Sequence, residues 1–252
     1  MKLIRFGKQG EEKPGILLSN DEKIDVSSFV SDYDEKFFES GGLVNLKDWL
    51  NENESSAPRL DDSIRLGSPI ARPSKIICIG LNFKDHAAES GFDAPEEPLI
   101  FGKATSAICG PYDNIIIPRG SEQTDWEVEL GVVIGKKTSY VDQDQALDHV
   151  GGYVLHNDVS ERAFQKDRGG QWIKGKSADT FAPMGPFMAT PDEIDNISDM
   201  RMWLNVNGEN MQDGNTSNLI FSVDHVVSYL SQFMTLLPGD VISTGTPAGV
   251  GM

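Results

Sequence analysis

Apolar positions in this chain come in short runs broken by glycine, proline and polar clusters. The most informative run is Thr124–Gly135, TDWEVELGVVIG. At the two-residue period of a strand, Trp126, Val128, Leu130, Val132 and Ile134 share one face, and Asp125, Glu127 and Glu129 share the other. Three successive acids on one face repel one another unless water, cations or a metal lies in front of them. Taken alone, the pattern fits a solvent-facing edge strand with lysines on its neighbour as well as it fits a metal site.

Upstream, Lys2–Phe6 and Gly15–Leu18 read as short strands around a turn at Lys13-Pro14-Gly15. Asp25–Ser28 opens into one helix candidate and Leu43–Asn51 into a second. Asn51–Pro58 is polar and aperiodic, and Pro69-Ile70-Ala71-Arg72-Pro73 punctuates a boundary. Residues 1–73 are therefore expected to form a small N-terminal domain with a structural role, such as a subunit contact. The remaining 74–252 would carry the chemistry.

Past the boundary the runs are richer in β-branched residues. Lys75–Gly80, Leu99–Lys103, Ile115–Pro118, Val150–Leu155 and Met200–Val206 read as strands, with Asn207-Gly208 a strong hairpin signal. Asp142–Asp148 reads as a short helix, Ser222–Phe233 has helical period, and Leu237–Ser243 reads as a turn plus strand. The acidic, proline-bearing segment Asp93–Pro98 reads as an extended, mobile connection.

Three places carry candidate chemistry beyond the acidic strand. Asn82–Gly91 reads as a short helix, capped by Asn82, with Asp85 in a capping box and Gly91 as a stop. On it His86 and Glu89 are three apart and share a face; a carboxylate beside an imidazole builds a base, though a surface pair fits too. Asp158 lies where a strand gives way to a helix, as a metal ligand or as a cap for Asp158-Val159-Ser160-Glu161, and Gln165 follows about two helical turns on. The stretch Gly169–Ser177 holds two lysines suited to an oxyanion, and Thr244–Gly251 offers hydroxyls and backbone N–H groups to an anion.

Composition narrows the classes. With 252 residues, 25 glycines and 38% hydrophobic content, the chain is globular and turn-rich. The net charge of -17 argues against a nucleic-acid partner. No run of about 18 apolar residues is present, so no transmembrane helix is expected, and the N-terminal apolar stretch is too short for a signal peptide. Cys78 and Cys109 stand apart from any C-x-x-C pair and read as reduced core thiols of a cytoplasmic protein.

Five segments together resemble the fumarylacetoacetate hydrolase family, in its order: Ile79–Glu89, Glu127–Gly131, Asn157–Arg162, Lys176–Phe181 and Thr244–Pro247. The resemblance covers about residues 74–252 and tips the acidic strand toward a metal site. It implies an α+β, β-rich fold, a mixed β-sandwich roll with a small N-terminal domain, commonly homodimeric. It implies Mg²⁺ or Mn²⁺ on Glu127, Glu129 and Asp158, His86 and Glu89 as a base dyad on a lid, and Lys176 steadying an enolate or alkoxide. Gln165 and Thr246 would hold substrate, with Lys103 at the pocket wall. Family members run on past the Thr-Gly-Thr-Pro loop, so the roll is expected to be shortened at its C-terminal end. The implied reaction is hydrolysis of a C–C bond in a 2,4-diketo acid, a 2,4-diketo-3-deoxy sugar acid or acylpyruvate, to pyruvate plus a second acid. Rival readings are an oxaloacetate decarboxylase or isomerase, a ureidoglycolate lyase, and a metal-binding β-rich module without turnover.

Overall fold

The computed structural model describes residues 1–251. Its first strands are β1 (Lys2–Phe6), β2 (Lys13–Leu17) and β3 (Lys23–Asp25), followed by helices α1 (Glu35–Glu39) and α2 (Gly42–Asn53) and strand β4 (Leu66–Gly67). Next come β5 (Ile76–Gly80), α3 (Lys84–Glu89), β6 (Leu99–Lys103), β7 (Ile108–Cys109), β8 (Thr124–Asp125), β9 (Val128–Ile134), β10 (Val150–Asn157) and β11 (Ser160–Glu161). Helices α4 (Arg162–Lys166) and α5 (Ile173–Lys176) lead to β12 (Ala182–Ala189), β13 (Arg201–Val206), β14 (Glu209–Asn215), α6 (Val223–Ser231) and β15 (Val241–Ser243).

The main sheet runs in the order β3-β2-β1-β12-β10-β9-β15-β5-β6. It is mixed: β15 runs parallel to β5, while β9 is antiparallel to both β10 and β15. The acidic strand is thus central and not an edge, and every residue of β9 is buried. Its alternation divides two cores. Val133, with Ile76, Cys78, Val154 and Val241, packs against Phe37, Phe38 and Leu46 of the N-terminal helices. Leu130, Val132 and Ile134, with Ile77, Ile79 and Ile242, pack against Val226, Val227 and Leu230 of α6. A strand covered on both faces needs apolar residues at both parities, which is why VVI interrupts the simple alternation.

The N-terminal strands continue this sheet, because β1 pairs with β12 through Lys2↔Ala189 and Leu3↔Met188. Lys13-Pro14-Gly15 lies inside β2 and is not a turn; Gly15 is chosen because a Cβ there would meet Ile24 O at 2.7 Å. Asp25–Ser28 forms the end of β3 and a turn, and the first helix begins later, at Glu35. Leu43–Asn51 is helical, within α2. Ile115–Pro118 forms no strand: its three isoleucines are exposed, and Ile116 N–H donates to Thr180 Oγ1 at 2.7 Å. The Asn207-Gly208 hairpin turn forms as the sequence predicts, with φ of 53° and 85° at the two residues, the left-handed pair a tight hairpin requires. Among the described residues no helix is long and apolar enough to cross a membrane.

Candidate active site

Strand pairing brings the acids together. The chain kinks between β8 and β9, so Asp125 and Glu129 lie on different strands, and Glu127 bridges the break. Glu127 N–H donates to Asn157 Oδ1 at 3.0 Å, and Asp158 N–H donates to Glu127 O at 2.9 Å, which ties the end of β10 to the start of β9. As a result one carboxylate oxygen from each of Glu127, Glu129 and Asp158 falls within a 4.8 Å cluster, all three residues buried. Asp125 is turned away and accepts from Arg162 Nε at 2.8 Å. Asp158 caps no helix; β11 intervenes, and α4 starts at Arg162 without a side-chain cap.

Lysines do meet these acids, but in the interior. Lys176 Nζ donates to Glu127 Oε2 at 2.7 Å and to Asp158 Oδ2 at 2.8 Å. Lys103 Nζ donates to Asp158 Oδ1 at 2.5 Å and to Val159 O at 3.0 Å. Arg162 Nη1 lies 2.7 Å from Glu127 Oε1. Burial alone would raise the Asp158 pKa, yet Lys103 and Lys176 overcome it and hold the carboxyl well below the usual range. The same pairing outweighs burial at Lys176, whose pKa is raised by Asp158 and Glu127.

Glu129 is different. Its Oε2 accepts from Ser243 Oγ at 2.5 Å and Gly245 N–H at 2.9 Å, both neutral donors. Burial, then the charges of Asp158 and Glu127, raise its pKa well above the carboxylate range. In this linked cluster four carboxylates, Asp125, Glu127, Glu129 and Asp158, face three cationic groups, Lys103, Arg162 and Lys176. One positive charge is lacking, and it is lacking at Glu129. Three converging oxygen donors with no sulfur or imidazole among them suit a hard divalent cation, so the residues fit a metal.

A cavity of about 620 Å³ opens over Glu127 and Glu129, walled by His86, Glu89, Gln165, Lys176 and Thr246. His86 Nδ1 lies 3.5 Å from Glu89 Oε2, a near approach without a hydrogen bond, and that nitrogen has no other partner. Glu89 accepts from Gly249 N–H at 3.1 and 3.2 Å, which docks α3 on the C-terminal loop. Gln165 Oε1 accepts from Arg162 Nη1 at 3.1 Å, so its amide N–H₂ is the end left to donate. Thr246 Oγ1 donates to Val128 O at 2.9 Å and accepts from Gln212 Nε2 at 2.7 Å. Its single proton is thereby engaged, and a donor role toward substrate requires that bond to break.

Several expectations are corrected in detail. Lys103 does not line the cavity; it lies under Asp158, fully enclosed. Asn82 caps no helix, since Phe83 is the N-cap residue and the capping box does not form. Asn82 instead accepts from Phe221 N–H at 2.8 Å and donates to Thr244 O at 2.8 Å and Phe221 O at 3.1 Å. The Thr244–Gly251 loop does present N–H groups to anions, but they are the protein's own: Gly245 serves Glu129, Gly249 serves Glu89, and Gly251 serves Asp125. Gly245 sits at φ +102°, where a Cβ would meet Asn82 Cβ at 2.9 Å.

Arg162, His156 and Ser243 were not singled out in the sequence. Arg162 could have been found from its place four residues after Asp158 in a run with Gln165; His156 and Ser243 carry no local signal, because sheet register alone brings them to Glu129. Burial pushes the His156 imidazole down to about 3.

Comparison with known proteins gives the same answer as the geometry. A protein named only as a hydrolase, from Burkholderia ambifaria, is 51% identical over 252 residues, all of this chain and 88% of its own length. The fumarylacetoacetate hydrolase of psychrophilic Exiguobacterium antarcticum superposes with a TM-score of 0.85 at 35% identity, covering 100% of this chain and 89% of its own. Maleylpyruvate hydrolase from Sphingobium sp. SYK-6, solved with manganese(II) and pyruvate, superposes with a TM-score of 0.84 at 28% identity, over 100% and 90%. The fumarylacetoacetate (FAA) hydrolase C-terminal family matches residues 75–252, the stretch that holds every acid and base of the cavity. With its buried carboxylate triad and mixed β fold, this chain belongs to the fumarylacetoacetate hydrolase family.

Proposed function

We propose that this protein is a Mg²⁺- or Mn²⁺-dependent hydrolase that cleaves a C–C bond of a 2,4-diketo acid to pyruvate and a second acid. Its substrate class is the 2,4-diketo-3-deoxy sugar acids and acylpyruvates. The observation that carries this reading is that one cavity is lined by Glu127 and Glu129, two members of an acid triad short of one positive charge, and by an imidazole–carboxylate pair. Manganese and pyruvate in the Sphingobium maleylpyruvate hydrolase, a protein of the same fold, support it.

Glu127, Glu129 and Asp158 would hold the cation, which supplies Lewis-acid polarisation of the 2-oxo group. The chain's own groups then divide the work. The Gln165 amide and Arg162 beside it orient the substrate carboxylate. His86, with Glu89 steadying the imidazolium, takes a proton from water as the oxygen adds to the 4-carbonyl. The bond between C3 and C4 breaks, and its electron pair enters the three-carbon fragment as an enolate. Lys176 has two of its three N–H groups on carboxylates and offers the third to the enolate oxygen. The proton held by His86 returns to C3, giving pyruvate, and the remaining fragment leaves as an acid. We also propose a homodimer as the working state, supported by the exposed apolar side chains Tyr112, Ile116, Ile117, Leu155 and Trp203.

The test is release of pyruvate and a second acid from a panel of 2,4-diketo-3-deoxy sugar acids, simple acylpyruvates and oxaloacetate, with Mg²⁺ and with chelator. Equimolar, metal-dependent products from a diketo acid are expected, and His86→Ala should lower kcat by about 100-fold or more while Mn²⁺ binding persists. Pyruvate from oxaloacetate alone would replace hydrolysis with decarboxylation. No turnover on any member of the panel would overturn the reading.

A further inference from the structure

We propose that His156 and Ser243 form a hydrogen-bond relay that fixes one oxygen of Glu129 and leaves the other, Oε1, to face the cation. The inference rests on the metal-site reading above and adds to it two residues with no assigned role. His156 stands directly opposite Glu129 across the β9–β10 ladder, and Ser243 stands opposite Gly131 across the β9–β15 ladder. Residues paired in register, or two apart along one strand, share a face. All three side chains therefore meet on one side of the sheet, and each is at most 2% exposed.

Proton counting sets the direction of the relay. His156 Nδ1 lies 2.6 Å from Ser243 Oγ, which lies 2.5 Å from Glu129 Oε2. With a divalent cation held on Oε1, Glu129 is ionised and only accepts, so in that state the single Ser243 proton points to Glu129, and the hydroxyl must accept from His156. That requires the proton on Nδ1. His156 Nε2 is buried without a partner, so a second proton there would be an unpaired buried donor. The neutral Nδ1–H tautomer is the one that satisfies the geometry. Gly245 N–H binds the same Oε2 at 2.9 Å, so two donors hold this oxygen and none of these contacts uses Oε1. A ligand carboxylate held in this way loses little orientational freedom when the cation arrives. His156 and Ser243 are positioning residues, acting through Glu129.

Two measurements test this. The first is the ¹⁵N–¹H long-range correlation spectrum of His156 in the wild-type protein saturated with diamagnetic Mg²⁺, which needs no variant to fold. The Nδ1–H pattern is expected, and an Nε2–H pattern would overturn the relay. The second is Mn²⁺ titration, by paramagnetic resonance of the free ion, of wild type, Ser243→Ala, His156→Phe and the double variant. Each single variant should weaken Mn²⁺ binding about 10–100-fold, with the double variant no weaker than the worse single, and Ser243→Thr should restore affinity. Wild-type affinity in Ser243→Ala, or losses that multiply in the double variant, would overturn the relay alone. Failure of the wild type to bind Mn²⁺ would instead overturn the metal site, and the relay's purpose with it.

Discussion

Asn82→Ala is the substitution through which the architecture around the cavity can be weighed. Asn82 is fully buried between β5 and α3, and its amide makes three hydrogen bonds to two distant segments, at 2.8, 2.8 and 3.1 Å. Removing it leaves Phe221 N–H, Phe221 O and Thr244 O without this partner. At roughly 1 kcal/mol net per bond, the loss comes to about 3 kcal/mol. For a chain of this size each kcal/mol moves Tm by about 2–4 °C, so a fall of about 6–12 °C is expected in calorimetry. The variant should also lose kcat/KM on the best diketo acid, because Thr244 leads into the loop whose Gly245 and Gly249 hold Glu129 and Glu89. Asn82→Asp keeps the acceptor for Phe221 N–H but sets a carboxylate against two carbonyls, so it should not rescue. A Tm within about 2 °C of wild type for Asn82→Ala, where about 6 °C or more is expected, would refute the assignment of this side chain as the staple of the site.

Gly245→Ala should cost about 2–4 kcal/mol, from the left-handed backbone at φ +102° and the 2.9 Å approach to Asn82 Cβ, read as a shifted urea midpoint with weakened Mn²⁺ binding. Glu129→Gln removes a carboxylate crowded by Asp158 and Glu127; Tm of the metal-free protein should rise while Mn²⁺ affinity collapses, and a lower metal-free Tm would contradict the charge argument. Asp113 receives two hydrogen bonds from Arg65, at 2.8 and 2.6 Å, which hold its carboxyl below the ordinary range against the opposing effect of burial. A lowered folded-state pKa stabilises the fold above the unfolded carboxylate value of about 3.9 and loses that contribution as pH falls through the lowered value. Asp113→Asn should therefore cost about 1 kcal/mol at pH 7, with the gap to wild type narrowing below about pH 3.9, as read from urea curves at both ends.

What the sequence made legible follows from how local each signal is. The Asn207-Gly208 hairpin and the helical period of Ser222–Phe233 are encoded within a few residues, and both appear in the structure. The alternation of the acidic stretch holds only from Val128 to Ile134, because the strand breaks at Trp126-Glu127 and Asp125 turns to Arg162. Lys13-Pro14-Gly15 reads as a turn by composition, yet pairing with β1 and β3 on either side holds it extended. Ile115–Pro118 has strand composition but no partner strand, and exposed isoleucines are the outcome. At the site, the acid triad follows from five ordered motifs, whereas the support around it does not. Lys103 was expected at a wall and lies beneath Asp158, because only the three-dimensional pairing shows which lysine faces the cavity and which is enclosed. His156 and Ser243 reach Glu129 across two ladder registers from positions 27 and 114 residues away, distances over which no sequence period carries information.

The mechanism turns on Glu127, Glu129 and Asp158 binding one divalent cation beside the cavity. Anomalous diffraction from crystals soaked in Mn²⁺, with a second data set after chelation, tests it most directly. A single strong peak touching one oxygen of each of the three carboxylates, lost on chelation and lost in Glu129→Gln, is the predicted result. A peak elsewhere, or Lys176 still bridging Glu127 and Asp158 with no metal between the acids at saturating Mn²⁺, would contradict it.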